Sequence, residues 1–143
     1  MTARPQPNRR PRDRQNSSGA SEQPTFDPQT SQKDLVDGLA EKQADIFGRD
    51  LNSSQLRRFF GEVKDMFRRL EQNQPYETTI EPQFKMLRSK SYYAQHKGGG
   101  QGVPQSFTKF IDNAVQKVSN EEQFRLFVKH FEAVVGFWYG KYE

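Results

Sequence analysis

Between Leu56 and Leu70, the apolar residues Leu56, Phe59, Phe60, Val63, Met66, Phe67 and Leu70 recur at helical spacing, forming one continuous apolar face about four turns long. A helix with such a face has to bury it against other elements. Three later segments offer matching faces. From about Pro82 to His96, Ile80, Phe84, Leu87, Ser91 and Ala94 share a side. From about Ser106 to Val118, Phe107, Phe110, Ile111, Ala114, Val115 and Val118 form a stripe. In the last segment, ending near Tyr139, Phe124, Phe127, Val128, Phe131, Val134, Val135 and Trp138 do the same. Caps support these limits: Asn52 with Gln55 before the first, and Ser119 with Glu122 before the last. Asn73, Gln74 and Pro75 interrupt the chain, and the glycines at 98, 99, 100 and 102 mark a connecting loop. Leu35, Val36, Leu39 and Ile46 predict a further helix from about Lys33 to Phe47, weakened by Gly38 and stopped at Gly48. No segment alternates with period two. The expected fold class is therefore all-α: a single bundle of about five antiparallel helices over residues 33–143.

Residues 1–32 are rich in Pro, Arg, Ser, Gln and Asn, with Phe26 the only aromatic. That composition predicts a disordered N-terminal tail that adds nothing to the core. Its arginines, Arg4, Arg9, Arg10, Arg12 and Arg14, suit either an RNA-touching arm or a solubilising segment.

Several chemistries lose their basis in the residue types. With no cysteine there is no disulfide, thiolate zinc site or cysteine nucleophile. His96 and His130 stand in no metal-binding pattern, and the acidic residues are scattered among basic ones, so no metal, cofactor or catalytic residue is expected and the chain reads as a non-enzyme. The glycine loop lacks the spacing and the following Lys-Ser/Thr of a phosphate-binding loop. The longest apolar stretch, Val134 to Tyr139, is far short of the ~20 residues of a membrane span, and the Arg/Pro-rich start does not resemble a secretory signal. A cytoplasmic protein with no membrane partner is the expectation.

Net charge says little by itself. The chain has 22 basic and 18 acidic residues, a balance of +4, of which the tail holds five minus three and the remainder 17 minus 15. Placement says more. On a helical wheel Arg57, Lys64 and Arg68 fall on one flank of the Leu56–Leu70 stripe, with Gly61 in the same row, while Arg58, Glu62, Asp65 and Arg69 fall on the other and can pair among themselves. In the next segment Lys85, Arg88, Tyr92 and His96 lie on one side of the stripe, and Lys90, Tyr93 and Lys97 on the other. Arg125 and Lys129 lie together in the last segment, with Glu132 nearby. Basic side chains interleaved with tyrosines suit RNA, whose phosphates take the cations and whose bases stack on rings. A solvated helix face has the same composition, and the aromatics Phe137, Trp138, Tyr139 and Tyr142 suit a protein–protein adaptor without an RNA role.

Three runs carry a more specific signal: LNSSQLRRFF from Leu51 to Phe60, MLRSKSYYA from Met86 to Ala94, and FVKHFEAVVGF from Phe127 to Phe137. Together and in this order they resemble the small subunit of type III-A (Csm-type) CRISPR effector complexes, over about two thirds of the chain. The resemblance implies a helical, non-catalytic, RNA-binding subunit in antiviral defence. It would be present in several neighbouring copies beside other subunits of the ribonucleoprotein complex, lining the groove where guide RNA pairs with target RNA. Such a subunit holds RNA backbone, because base pairing reads the sequence. By the same resemblance Arg57 matches the arginine after a Gln-aliphatic pair. Arg88 matches the basic residue before a tyrosine, and Tyr93 matches that tyrosine. Lys97 stands where many members carry arginine after a glycine, and an ammonium does not reproduce the guanidinium fork.

Overall fold

A computed structural model of the chain describes residues 23–96 and 102–143. Its elements are α1 (Gln32–Leu35), α2 (Gly38–Phe47), a 3-10 turn (Gly48–Asp50), α3 (Ser53–Glu71), a π-helical turn (Tyr76–Ile80), α4 (Glu81–Gln95), α5 (Gln105–Lys117) and α6 (Glu121–Tyr142). Five main helices, α2 to α6, make an all-helical bundle, with no strand among the described residues. Residues 1–22 of the expected tail, Lys97 and the glycines at 98–100 lie outside the described residues.

Local chemistry sets the helix limits. Asn52 caps α3: its side-chain oxygen accepts from the Ser54 and Gln55 amides at 2.8 and 3.1 Å. The helix gives out at Glu71, two residues before Asn73, which takes the left-handed φ of 69° that asparagine tolerates. Gly48 ends α2 with φ of 53°, and its carbonyl accepts the Trp138 indole N–H at 2.7 Å, tying α2 to α6. The cap of α6 lies one residue later than the Ser119–Glu122 spacing suggests. Asn120 accepts from the Gln123 amide at 2.9 Å, and the Gln123 side chain in turn accepts from the Ser119 amide at 2.7 Å.

The helix expected from Lys33 to Phe47 is broken at Val36 and Asp37 into α1 and α2. Its buried face also changes: Ala40, Gln43, Ala44 and Phe47 point inward, whereas Ile46 is 53% exposed. With Gly38 opening α2 instead of interrupting a longer helix, the two turns are free to take different faces.

Phenylalanines build the core. Phe110 packs its ring 5.1 Å from Phe131 and 5.4 Å from Phe47, and Phe84 lies 5.2 Å from Phe124. Aromatic edges meeting faces at these separations add to the area they bury. α6 lies along α2 and α3, while α4 pairs with α5.

The core also takes in part of the segment expected to be a disordered tail. Phe26 is buried, 5.6 Å from Phe127 and 5.7 Å from His130, and the Pro24 carbonyl accepts from the Asn113 side chain at 3.2 Å. A turn closed by the Thr30 amide on Asp27 at 2.9 Å leads into α1. Composition averaged over 32 residues conceals one aromatic anchor. Phe26→Ala is accordingly expected to cost about 3 kcal/mol of stability, the usual penalty for emptying a buried aromatic site. Urea unfolding measures it, and a loss below about 0.5 kcal/mol would show that the segment does not seal the core.

His130 is buried beside this anchor, its Nδ1–H donating to the Leu35 carbonyl at 2.6 Å and its Nε2 without a partner among the described residues. Burial pushes its pKa below the ordinary 6.5, outweighing the opposing hydrogen bond. Below about pH 6.5 the unfolded chain takes up a proton that the buried ring refuses, so stability falls as pH drops. Thermal melts between pH 7 and 5 are expected to show this decline in the parent and a flatter profile in His130→Gln; equal slopes would remove His130 as the cause.

Candidate nucleic-acid interface

Between α3 and α4 runs a cleft of about 580 Å³. Arg57, Arg58 and Gly61 line it from α3, and Met86 and Lys90 from α4. Its charged lining comprises Arg57, Arg58, Arg69 and Lys90 against Glu62 and Asp65, four minus two, a surplus of two positive charges. Most of these groups are engaged. Lys90 reaches across from α4 to Glu62 at 2.9 Å, and Arg69 holds Asp65 at 3.2 Å and also Gln83. Asp65 in addition takes Arg68, whose hydrogen bond holds its carboxyl below the usual range. Arg57 and Arg58 are exposed, and neither meets a carboxylate among the described residues. A smaller adjoining hollow shares Arg58, Glu62 and Lys90 and adds Tyr93, which is 75% exposed.

The other flank of α4 faces α5 and is largely neutralised. Arg88 pairs with Asp112 and lies 5.4 Å over the Tyr92 ring, and Tyr92 also donates to Asp112 at 3.3 Å. The hydrogen bond to Asp112 raises the Arg88 pKa. Lys85 donates to the Val115 carbonyl at 3.3 Å. Arg57 and Arg88 thus stand on different sides of α4, not along one groove.

Two other predicted groups are also compensated. Lys64 lies 3.8 Å from Glu132 and 5.8 Å over Phe60, so the α3 flank carrying Lys64 and Arg68 is paired, contrary to the wheel. Arg125 binds Glu71 and Glu121, and the Glu71 hydrogen bond raises its pKa. Lys129 is exposed with no ion pair among the described residues.

The arrangement that emerges is a pair of exposed arginines, unpaired among the described residues, over a cleft beside a hollow that holds an exposed tyrosine, and the run bearing those arginines falls inside a family match. The family model Csm2 Type III-A matches residues 30–141. The chain belongs to the Csm2 Type III-A family. It is thereby a subunit of a type III-A CRISPR complex. No curated protein and no solved structure matches it significantly. The match to Csm2 Type III-A begins after Phe26 and takes in both walls of the cleft, while Arg4 to Arg14 lie outside it.

Within this chain, sequence reasoning did not place Arg58 and Met86 at the cleft. It placed Arg58 on a self-pairing flank, but Glu62, its partner by spacing, is held by Lys90 from α4, a tertiary contact that a wheel does not contain. Met86 lies off the apolar stripe of α4 and is 54% exposed in the cleft wall, a departure readable in the sequence. The C-terminal aromatics proposed as an adaptor patch are mostly absorbed: Trp138 is buried, and Tyr139 and Tyr142 donate to the Ser53 carbonyl and Asp45 at 3.3 and 2.6 Å. No helix among the described residues is long and apolar enough to cross a membrane.

Proposed function

We propose that this chain is a non-catalytic RNA-binding subunit of a type III-A CRISPR ribonucleoprotein, holding the backbone of guide and target RNA along the α3–α4 cleft in antiviral defence in the cytoplasm. The observation that carries the reading is the adjacent pair Arg57 and Arg58, exposed at the cleft and meeting no carboxylate among the described residues. A guanidinium with no internal partner is available to a phosphate at no cost in broken ion pairs. Tyr93, in the adjoining hollow, offers a ring on which any base can stack, while Lys90 would have to leave Glu62 to add charge across the cleft. Among the other sequence candidates, Lys129, with no ion pair among the described residues, can add a phosphate contact, whereas Lys64, Arg68, Lys85, Arg88 and Arg125 would first have to leave their present partners. Other subunits of the complex and neighbouring copies of the chain are the protein partners.

The test is affinity purification of the tagged chain with its neighbouring subunits, followed by sequencing of the bound RNA. Recovery of repeat-derived guide RNA is expected. A complex that forms without RNA, or a chain that enters it equally well and carries no RNA contact by cross-linking, would leave a purely protein-bridging role. The purified chain, given magnesium or manganese, is expected to leave RNA and DNA uncut.

A further inference from the structure

Phosphate binding accounts for the arginines of the α3–α4 cleft but not for its apolar part. Met86, on α4, exposes more than half of its surface among charged groups. Gly61, on α3, also lines the cleft, and a Cβ built there meets nothing within 4 Å. A mid-helix glycine weakens a helix, and neither close packing nor a positive φ requires one here. Its effect is to keep open a space bounded by the bare α3 backbone and the Met86 thioether. Such a space suits a flat, polarisable, largely apolar group. Arg57 and Arg58 along the rim call for an anion attached to that group.

We infer that the slot between Gly61 and Met86 receives the base of an unpaired RNA nucleotide, while Arg57 and Arg58 hold its flanking phosphates. This rests on the reading of the cleft as an RNA site and adds a ligand class to it: single-stranded or extruded nucleotides, since a paired base hides its faces in the stack. The Lys90–Glu62 bridge borders both this slot and the hollow of Tyr93, so successive bases would lie on either side of it. Recognition of this kind tolerates any base, because every base has an apolar face.

Gly61→Leu tests the slot. It fills the space without altering charge, and it replaces a poor helix former with a good one, so the fold is expected to persist. The probes are a 12-nucleotide uridine oligomer and the same ribose-phosphate chain without bases, titrated by fluorescence anisotropy. The parent is expected to prefer the oligomer with bases by about tenfold, and Gly61→Leu to lose that preference while binding the baseless chain as the parent does. Met86→Ala is expected to lose part of it. A parent without preference, or a Gly61→Leu variant that keeps it, overturns the slot. So does equal weakening toward both probes, which would mean that leucine obstructs the backbone path. The charge reading is judged separately by Arg57→Ala/Arg58→Ala on the baseless chain: loss of binding there leaves that reading standing even if the slot fails, and no loss removes it.

Discussion

Replacing Arg57 and Arg58 together by alanine is expected to weaken binding of single-stranded RNA by about thirtyfold, at about 1 kcal/mol for each exposed arginine–phosphate interaction removed. The slope of log affinity against log salt should become shallower by about 1.4, twice the single-strand value of ~0.7 per neutralised phosphate. Both effects should be independent of base sequence. The prediction follows from which cations are already engaged. Arg125 is held by Glu71 and Glu121, and Arg88 by Asp112, so Arg125→Ala and Arg88→Ala remove charges that are locally cancelled and are expected to change affinity less than threefold. This ordering departs from the family-pattern reading, in which Arg57 and Arg88 contribute alike. Filter binding at several salt concentrations decides between them, with circular dichroism to show that each variant is folded. Equal losses from all four arginines would indicate diffuse attraction to a basic surface with no defined track.

Phe127→Ala is expected to cost about 3–5 kcal/mol, the largest effect of any single core substitution proposed. Phe127 has no exposed surface and sits where the aromatic layers meet, with the rings of Phe26, Phe84, Phe110 and Phe131 at 5.6, 5.5, 5.9 and 5.5 Å. These neighbours come from the N-terminal segment, α4, α5 and α6 itself, so the cavity would open between elements that cannot all close on it. Against a total stability of about 5–15 kcal/mol, the alanine variant is expected to be partly unfolded at 37 °C. Phe127→Leu, which keeps most of the volume, should cost about 1.5 kcal/mol or less. Denaturant midpoints that shift with an unchanged slope would place the effect in the folded state. A loss under 1 kcal/mol for the alanine variant would mean that the core does not converge on this ring.

The long helices were legible because periodicity records burial directly: the α5 stripe Phe107, Phe110, Ile111, Ala114, Val115 and Val118 is buried throughout, as is the stripe of α6. Isolated anchors are different. Phe26 has no periodic neighbours, and only its contacts with Phe127 and His130 reveal its role. Ile46 shows the converse, an apolar residue at a plausible spacing that faces outward because α2 turns its alanines and Phe47 inward. For the interface the limit is charge pairing. A wheel divided into two flanks sets Arg68 apart from Asp65, although their three-residue spacing lets them pair. Lys90–Glu62 and Arg88–Asp112 join different elements, and these pairs decide which arginines are left free.

Photochemical cross-linking of RNA to this subunit inside the purified type III-A complex, with the attachment points read by mass spectrometry, addresses the interface directly. Cross-links are expected on α3 and α4 around Arg57, Arg58, Met86, Lys90 and Tyr93, and they should disappear from the Arg57→Ala/Arg58→Ala complex while its subunit composition is preserved. Cross-links confined to the opposite flank of α4, around Lys85, Arg88 and Tyr92, or a subunit that remains uncross-linked in an RNA-loaded complex, would contradict the assignment of the α3–α4 cleft as the RNA track.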